Sequence, residues 1–406
     1  MTNPISTAET ATSLVTSPLG TLAILTGVAA FFFMLEKRTA WKLFEFFPPL
    51  LFIYALPVVL SNVSLPYYEL PVITNDSHFV VYQWMRSTVL PMFLLLMLLD
   101  VDVVAAVRVM GRGVVVMFCG TAGIVFGAPI AYMLVKNHLS PDAWKAFGTL
   151  AGSWIGGTGN MAAVSDALDT SPADFGLAVV ADNAVYIVWL PLLLTSKKLA
   201  PWFNRVVGVN PKRIEMLEQS AADLTLDKGK LDMRHVLYLL FLGFACTWAS
   251  SSLASVLPRI EPIVSEKTWS ILLITIMGIG LSMTPAKRIP GSHQIAVALV
   301  FIYVAMMGAK ADIAGAAGQA PWFVLGAFIW IAIHGLCCLV GAWVLKVDIH
   351  CMAIASAANI GGIASAPIVA AYHNDKLVPV SILMALIGYA VGNFAALLAA
   401  ALCRMV

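Results

Sequence analysis

Two glycine-rich stretches and one acidic residue carry the side chains best suited to holding a small charged ligand. The first stretch is Ser153-Trp154-Ile155-Gly156-Gly157-Thr158-Gly159-Asn160. Three glycines and a threonine in so short a run break a helix, release backbone N–H and C=O groups, and let a ligand approach where a Cβ would otherwise stand. A half-helix N-terminus at such a break favours an anionic group, and the released carbonyls together with Asn160 suit Na⁺. The second stretch, Ser356-Ala357-Ala358-Asn359-Ile360-Gly361-Gly362-Ile363-Ala364-Ser365, repeats the Gly-Gly pair beside an Asn. On this reading Gly156, Gly157, Thr158, Gly159, Ser356, Gly361, Gly362 and Ser365 hold a substrate, with Asn393 lining the same cavity. Asp182, within Ala181-Asp182-Asn183, is an acid about eight positions inside an apolar window, a costly placement that marks a functional site. Asn160, Asp182, Asn183 and Asn359 are the candidate cation-binding residues, with Na⁺ expected at Asn160, Asp182 and Asn359. The alternatives are close helix packing through small residues for the glycines and a structural hydrogen bond for Asp182.

Other polar residues point less directly to chemistry. Asp100 and Asp102 are two apart, so on a helix they face different ways and read as interfacial, as do Lys310 and Asp312. His334, flanked by Ile333 and Gly335, reads as a packed, hydrogen-bonded core histidine or a proton relay. Trp41 to Phe47 and Trp202-Phe203 read as interfacial anchors. The chain has no HExxH, GxSxG, Walker A or GxGxxG run, so hydrolase, ATPase and dinucleotide readings find no support. A non-enzymatic role is therefore expected, with no cofactor beyond Na⁺ or H⁺ as coupling ion.

The elements that must position these residues follow from composition. Of 406 residues 60% are hydrophobic and 11% charged, which excludes an ordinary soluble domain, a disordered chain and a repetitive rod. A net charge of +2 gives no basic surface for nucleic acid. The six cysteines show no CxxC and no zinc spacing, so neither disulfides nor metal are expected. About twelve apolar windows of spanning length remain, starting near Thr21, Phe47, Ser87, Gly113, Phe147, Asp174, His235, Thr268, Gln294, Trp322, Cys351 and Pro379. Helices are their expected state, because open strands cannot satisfy their backbone in lipid. No Lys or Arg precedes Lys37, so the first window lacks the basic flank of a cleavable leader and is expected to stay as a span.

Eight Lys and Arg fall in the stretch 196–234, which divides the windows six and six. The domains expected are a first transmembrane repeat over 1–195, a polar connector over 196–234 and a second repeat over 235–406. Laying Ile155-Gly156-Gly157 over Ile360-Gly361-Gly362 puts both Gly-Gly pairs in the fifth window of their half and Val164 on Val369. Basic residues cluster at Lys37/Arg38/Lys42, Arg108/Arg112, the connector and Lys287/Arg288. All four face the cytoplasm only if each Gly-Gly window dips into the membrane and returns. Each half then has five spans plus one re-entrant segment, and the halves are inverted, with the N-terminus outside and Arg404 the one dissenting charge. The alternative is that the Gly-Gly windows are broken helices that cross while another window fails to span.

The runs Trp154 to Val164, Ala181-Asp182-Asn183, Ala358-Asn359-Ile360-Gly361-Gly362 and Leu386-Ile387-Gly388-Tyr389-Ala390-Val391-Gly392 resemble the signature stretches of the YjcL-like membrane proteins, a family named for a domain of unknown function. The likeness runs from the first helix to Leu402. That family is grouped with the cation:proton antiporter and anion transporter superfamily, which includes sodium-coupled glutamate and bile-acid carriers. The run Gly156 to Gly159 is also similar to the GGxG of re-entrant loops in sodium-citrate symporters, a pattern lost at Gly361-Gly362-Ile363-Ala364. The resemblance implies an all-α polytopic membrane protein with inverted repeats, an elevator-type Na⁺- or H⁺-coupled symporter in a bacterial inner membrane. A small organic anion, amino acid or short peptide is the expected substrate. A scaffold built from both halves suggests a homodimer in the bilayer. The alternatives are a cation:proton antiporter resting on Asp182 alone, and a membrane-embedded enzyme or sensor.

Overall fold

The structure, a computed structural model, describes residues 13–39, 44, 49–76, 78–99, 111–210, 229–259, 264–311 and 318–406. Asp100, Asp102, Asp312, Arg108, Trp41 and Lys42 lie outside them. Among the described residues the fold is all-helical, apart from isolated bridges such as that between Val15 and Ile73. The helices are α1 (Pro18–Thr39), α2 (Pro49–Asn62), α3 (Val80–Leu98, with a π-helical turn at Met85–Val89) and α4 (Arg112–Val135). They continue with α5 (Ala143–Ala167), α6 (Pro172–Thr195) and the short α7 (Ala200–Val207). The second half holds α8 (Met233–Ala254), α9 (Glu266–Ser282), α10 (Ser292–Ala309), α11 (Ala320–Leu345), α12 (Ile349–Ile360), α13 (Gly362–Asn374) and α14 (Val378–Arg404). Eight helical segments among the described residues are long and apolar enough to cross a bilayer. The chain is an integral membrane protein.

Each of the twelve windows becomes a helix or a helix pair, and their ends obey local rules. Ser171, followed by Pro172, caps α6 by accepting from Asp174 N, Ser265 caps α9, and Asp348 caps α12 by accepting from Cys351 N. In α7 the spacing puts Phe203 and Val207 inside and leaves Trp202 and Val206 exposed, so it lies along the surface as the start of the connector.

The helices sort into two bundles. A frame is made of α1 to α3 with α8 to α10, where α10 packs mainly on α2 and α3, and α9 on α3 and α8. A core bundle is made of α4 to α6 with α11 to α14, dominated by α14 against α5 and α11 against α4.

Neither Gly-Gly window is a straight rod. In α5 the backbone leaves helical geometry at Gly157 (φ 73°, ψ −175°) and then doubles back. A Cβ placed on Gly152 would lie 2.9 Å from Asn160 O, one on Gly148 would lie 2.8 Å from Leu168 Cδ1, and the hydroxyls of Thr149 and Thr170 are 3.0 Å apart. A continuous helix would separate residues eight apart by about 12 Å. We call this hairpin 1. The pair α12 and α13 turns at Gly361-Gly362, with Gly362 at φ 55°. Its open ends are closed by His350 Nδ1 and His373 Nδ1 at 2.9 Å. This is hairpin 2.

Contacts at the helix ends show that the hairpins open at opposite ends of the molecule. The mouth of hairpin 1 shares its end with the start of α3 through Arg86 and Asp166, with the start of α9 through Lys267 and Asp169, and with the chain terminus, where Arg404 lies over the Trp144 ring. The mouth of hairpin 2 lies with the end of α6, where Lys197 Nζ donates to Tyr372 O at 2.6 Å and His373 Nε2 to Leu193 O at 2.9 Å. It also lies beside α7, where Ile349 N donates to Asn204 Oδ1 at 3.1 Å. Arg112 Nη1 donates to Leu345 O at 3.0 Å at that same end.

Candidate functional site

The two hairpin tips meet inside the core bundle. A Cβ placed on Gly362 would lie 4.0 Å from the Cα of Gly157, so the helix break of one half abuts that of the other. Tyr389 of α14 packs against both. Its Cε1 would be 3.0 Å from a Cβ on Gly157 and 3.5 Å from one on Gly362, and its hydroxyl oxygen 3.6 Å from either. At each tip the outgoing arm presents a helix N-terminus and the incoming arm a helix C-terminus. Partial positive and partial negative ends are therefore gathered at one place.

Within each Gly-Gly pair the two glycines do different work. The second, Gly157 or Gly362, supplies the positive φ of the turn. The first makes room for a polar side chain four residues on: a Cβ at Gly156 would collide with the Asn160 amide, and one at Gly361 with the Ser365 hydroxyl. At three of these glycines the space where a Cβ would stand is taken by the protein's own side chains. Gly156 and Gly361 are filled by the protein's own side chains, and Gly159 faces Met97 Cε at 2.6 Å. Gly157, Thr158 and Gly362 remain at the junction itself, with Gly157 and Thr158 half-buried.

The polar residues that fill these slots tie each hairpin to a spanning helix of the opposite half. Asn160 of hairpin 1 donates Nδ2 to Tyr389 O on α14 at 3.0 Å. Ser365 of hairpin 2 donates its hydroxyl to Tyr186 OH on α6 at 2.9 Å. Asp182, one turn before Tyr186, accepts from Ser153 Oγ at 2.8 Å and Trp154 Nε1 at 2.9 Å, both on the incoming arm of hairpin 1. The face of α6 that carries Asp182 and Tyr186 thus touches both hairpins.

Asn359 and Ser356 anchor the other side of hairpin 2. Asn359 donates Nδ2 to Met117 O on α4 at 3.0 Å and accepts from Thr121 Oγ1 at 3.2 Å. His334 has to donate Nδ1–H to Gly120 O at 2.9 Å, which leaves Nε2 to accept from Ser356 Oγ at 2.9 Å. Ser356 in turn accepts from Trp189 Nε1 at 3.0 Å. His334 is fully buried and has both ring nitrogens engaged, the packed-histidine reading of the sequence. Asn183 donates to Val179 O at 2.8 Å within α6. Asn393 lies on the frame boundary, donating Nδ2 to Thr275 Oγ1 at 2.9 Å, with its own Oδ1 buried and without a hydrogen-bond partner.

The structure therefore brings Gly157, Thr158, Gly362, Asp182 and Ser365 to the meeting of the tips. Asn160, Asn359 and Ser356 hold the hairpin arms, and Asn183 and Asn393 face elsewhere. Sequence reasoning did not place Tyr186 or Tyr389 at this junction. Tyr186 carried a usable signal, standing one helical turn after Asp182 on the same face. Tyr389 stood within the run Leu386 to Gly392, but its place between two breaks far apart in sequence could not be read from that run. Beside the tips a narrow cleft runs between α6 and hairpin 2, bordered by Tyr186, Trp189, Leu193, Ile360, Gly361 and Ser365.

Comparison with known proteins agrees with a membrane chain of this length. The family described as "Protein of unknown function (DUF819)" matches residues 23–406. The chain is similar to the "Uncharacterized membrane protein YjcL" of Bacillus subtilis (strain 168), with 24% identity over 326 residues, covering 77% of this chain and 81% of that protein.

Proposed function

This chain belongs to the DUF819 family of membrane proteins of unknown function, and from that premise we propose that it is a secondary-active transporter. It carries a small organic anion, amino acid or short peptide, coupled to Na⁺ or H⁺. The observation that carries this reading is the meeting of Gly157 and Gly362, where two helical hairpins entering from opposite ends place broken helices side by side within the core bundle. Broken helices inside a bilayer are tolerated only against protein or a cavity, and in carriers they line the ion and substrate site.

In this reading the substrate carboxylate meets the helix N-termini that begin after Gly157 and Gly362, with Thr158 and the Tyr186 hydroxyl beside it. Asp182 serves the coupling cation or proton. Asn160 and Asn359 act on the site by holding the arms that set the position of the tips. The opposed hairpins and the common register of Gly157 and Gly362 support two inverted repeats. The frame and core bundles supply the two bodies that an elevator motion requires. Lys37/Arg38, Lys197/Lys198 and Lys287/Arg288 lie at the end that holds the mouth of hairpin 2, which supports assigning that end to the cytoplasm. A homodimer in the bacterial inner membrane completes the reading. The second reading, a cation:proton antiporter without organic cargo, draws on Asp182 as the one acid among the described residues that contacts the hairpin arms near the tips.

Thermal-shift titration with Na⁺ against K⁺ and choline, with and without carboxylates, amino acids and dipeptides, tests this. A ligand bound only by the folded protein raises its stability by RT ln(1 + [L]/Kd). Na⁺-specific stabilisation deepened by one anion class supports symport. A response to pH and Na⁺ with no organic ligand moves the reading to the antiporter, and no response to any of them defeats both.

A further inference from the structure

Among the described residues, a cluster of polar contacts crosses between frame and core at one end of the molecule. Arg86 of α3 donates Nε to Asp166 Oδ1 at 2.5 Å and Nη2 to Asp169 Oδ1 at 3.0 Å. Lys267 of α9 donates to the same Asp169 oxygen at 2.8 Å. Next to them Thr268 Oγ1 and Ser265 Oγ of the frame donate to Ala167 O at 3.2 and 3.4 Å. Arg86, Lys267, Ser265 and Thr268 belong to the frame, whereas Asp166, Ala167 and Asp169 belong to the outgoing end of hairpin 1. Further in, the boundary is largely apolar, with Met97 and Phe93 against Gly159, plus the Asn393 to Thr275 bond. At the opposite end no ion pair among the described residues joins the two bundles.

We propose that Arg86, Asp166, Asp169 and Lys267 form a latch that holds hairpin 1 against the frame and has to part before the hairpin site can open at that end. The inference rests on the two-body transporter reading. The chemistry suits a contact that is made and broken repeatedly. Asp169 and Lys267 are 66% and 44% exposed, so water can replace their pairing at little cost. The Arg86–Asp166 pair is better shielded, at 24% and 10%, and gives the latch its specific seat. Both cations also sit at the C-terminal end of the outgoing hairpin arm, where the helix dipole favours them.

Hydrogen exchange on the full-length protein in nanodiscs, without ligand, tests the latch. The doubly neutralised variant, Asp166→Asn with Asp169→Asn, is compared with wild type and with the conservative Lys267→Arg. The latch predicts a roughly five- to tenfold faster exchange at the hairpin 1 tip, residues 156–160, several turns from the substituted carboxylates, with Lys267→Arg near wild type. Faster exchange confined to 166–170 and 265–268, or none, makes the cluster a local ion pair and overturns the proposal. Should the double variant fail to fold, wild type in high against low choline chloride reads the same segments, and a tip that ignores salt is equally decisive against it. Because neither Na⁺ nor substrate is added, the latch can fail while ligand-induced stabilisation stands, and the reverse.

Discussion

The indole N–H of Trp154 donates to Asp182 Oδ1 at 2.9 Å, and the adjacent Ser153 hydroxyl takes the other carboxylate oxygen at 2.8 Å. An ionised carboxylate among apolar helices is expensive unless its oxygens are met, and here both are met by one arm of hairpin 1. Whatever binds Asp182 competes with those two donors or joins them. In the proposed carrier, ion occupancy and hairpin position would thereby be linked through a single side chain.

Asp182→Asn removes the charge and leaves a side chain of the same shape. It should fold, losing about 1–3 kcal/mol from weaker hydrogen bonds to Trp154 and Ser153. Cation-specific stabilisation should vanish. Thermal shift in Na⁺ against choline checks this, and an undiminished Na⁺ response removes Asp182 from the ion site.

The two tip glycines should differ in their tolerance of alanine. Gly157 has φ 73° and ψ −175°, a region closed to residues with a Cβ, and its Cβ would press on Tyr389 at 3.0 Å. Gly157→Ala should cost about 1–3 kcal/mol from backbone strain alone. Gly362→Ala pays for a positive φ too, but its Cβ would stand at ordinary distance, 3.5 Å from the ring, so its loss should be the smaller. Denaturation midpoints of the two variants, measured side by side, decide the order.

Tyr186→Phe and Ser365→Ala each break the hydroxyl–hydroxyl bond that joins the outgoing arm of hairpin 2 to α6. Each should cost about 0.5–1.5 kcal/mol, and the double variant should cost less than the two added together. Strict additivity in that cycle would mean the hydroxyl pair does not hold the hairpin.

Asp169 lies between hairpin 1 and α6. Partial burial acts to raise its pKa, but the Lys267 and Arg86 partners outweigh that and hold the carboxyl below the usual value. A folded-state pKa below the unfolded one contributes stability above the unfolded pKa, and that contribution disappears as pH falls through the folded value. Melting temperature should therefore drop as pH is lowered below about 4, and the drop should be shallower in Asp169→Asn. Parallel curves for the two proteins would contradict the pairing.

The windows were legible in the sequence because hydropathy alone decides which segments leave water, and the Gly-Gly runs announced the breaks because no helix former stands there. Charge counting favoured return over crossing, and the Gly148 to Leu168 contact shows hairpin 1 folding back. What the sequence concealed is which atoms fill the space a glycine leaves. Gly156 and Gly361 read as openings for a ligand, yet Asn160 and Ser365 occupy them, a pairing four residues apart that only the turn geometry reveals. Asn359 looked like a cation ligand because it neighbours a Gly-Gly pair. Its amide turns away to Met117 and Thr121, since the incoming arm packs on α4.

The carboxylate of Asp182, held against the incoming arm of hairpin 1, also has an electrical consequence. If one Na⁺ accompanies a monoanionic cargo, the loaded and empty site carry the same net charge. The cycle is then blind to membrane potential, which supplies about 2.3 kcal/mol per charge per 100 mV to a carrier that moves charge. With a zwitterionic cargo and the same Na⁺, one positive charge crosses per turnover and the potential becomes a driving force. A current recorded from reconstituted membranes would thus sort carboxylic acids from amino acids as cargo before any radiolabel is chosen.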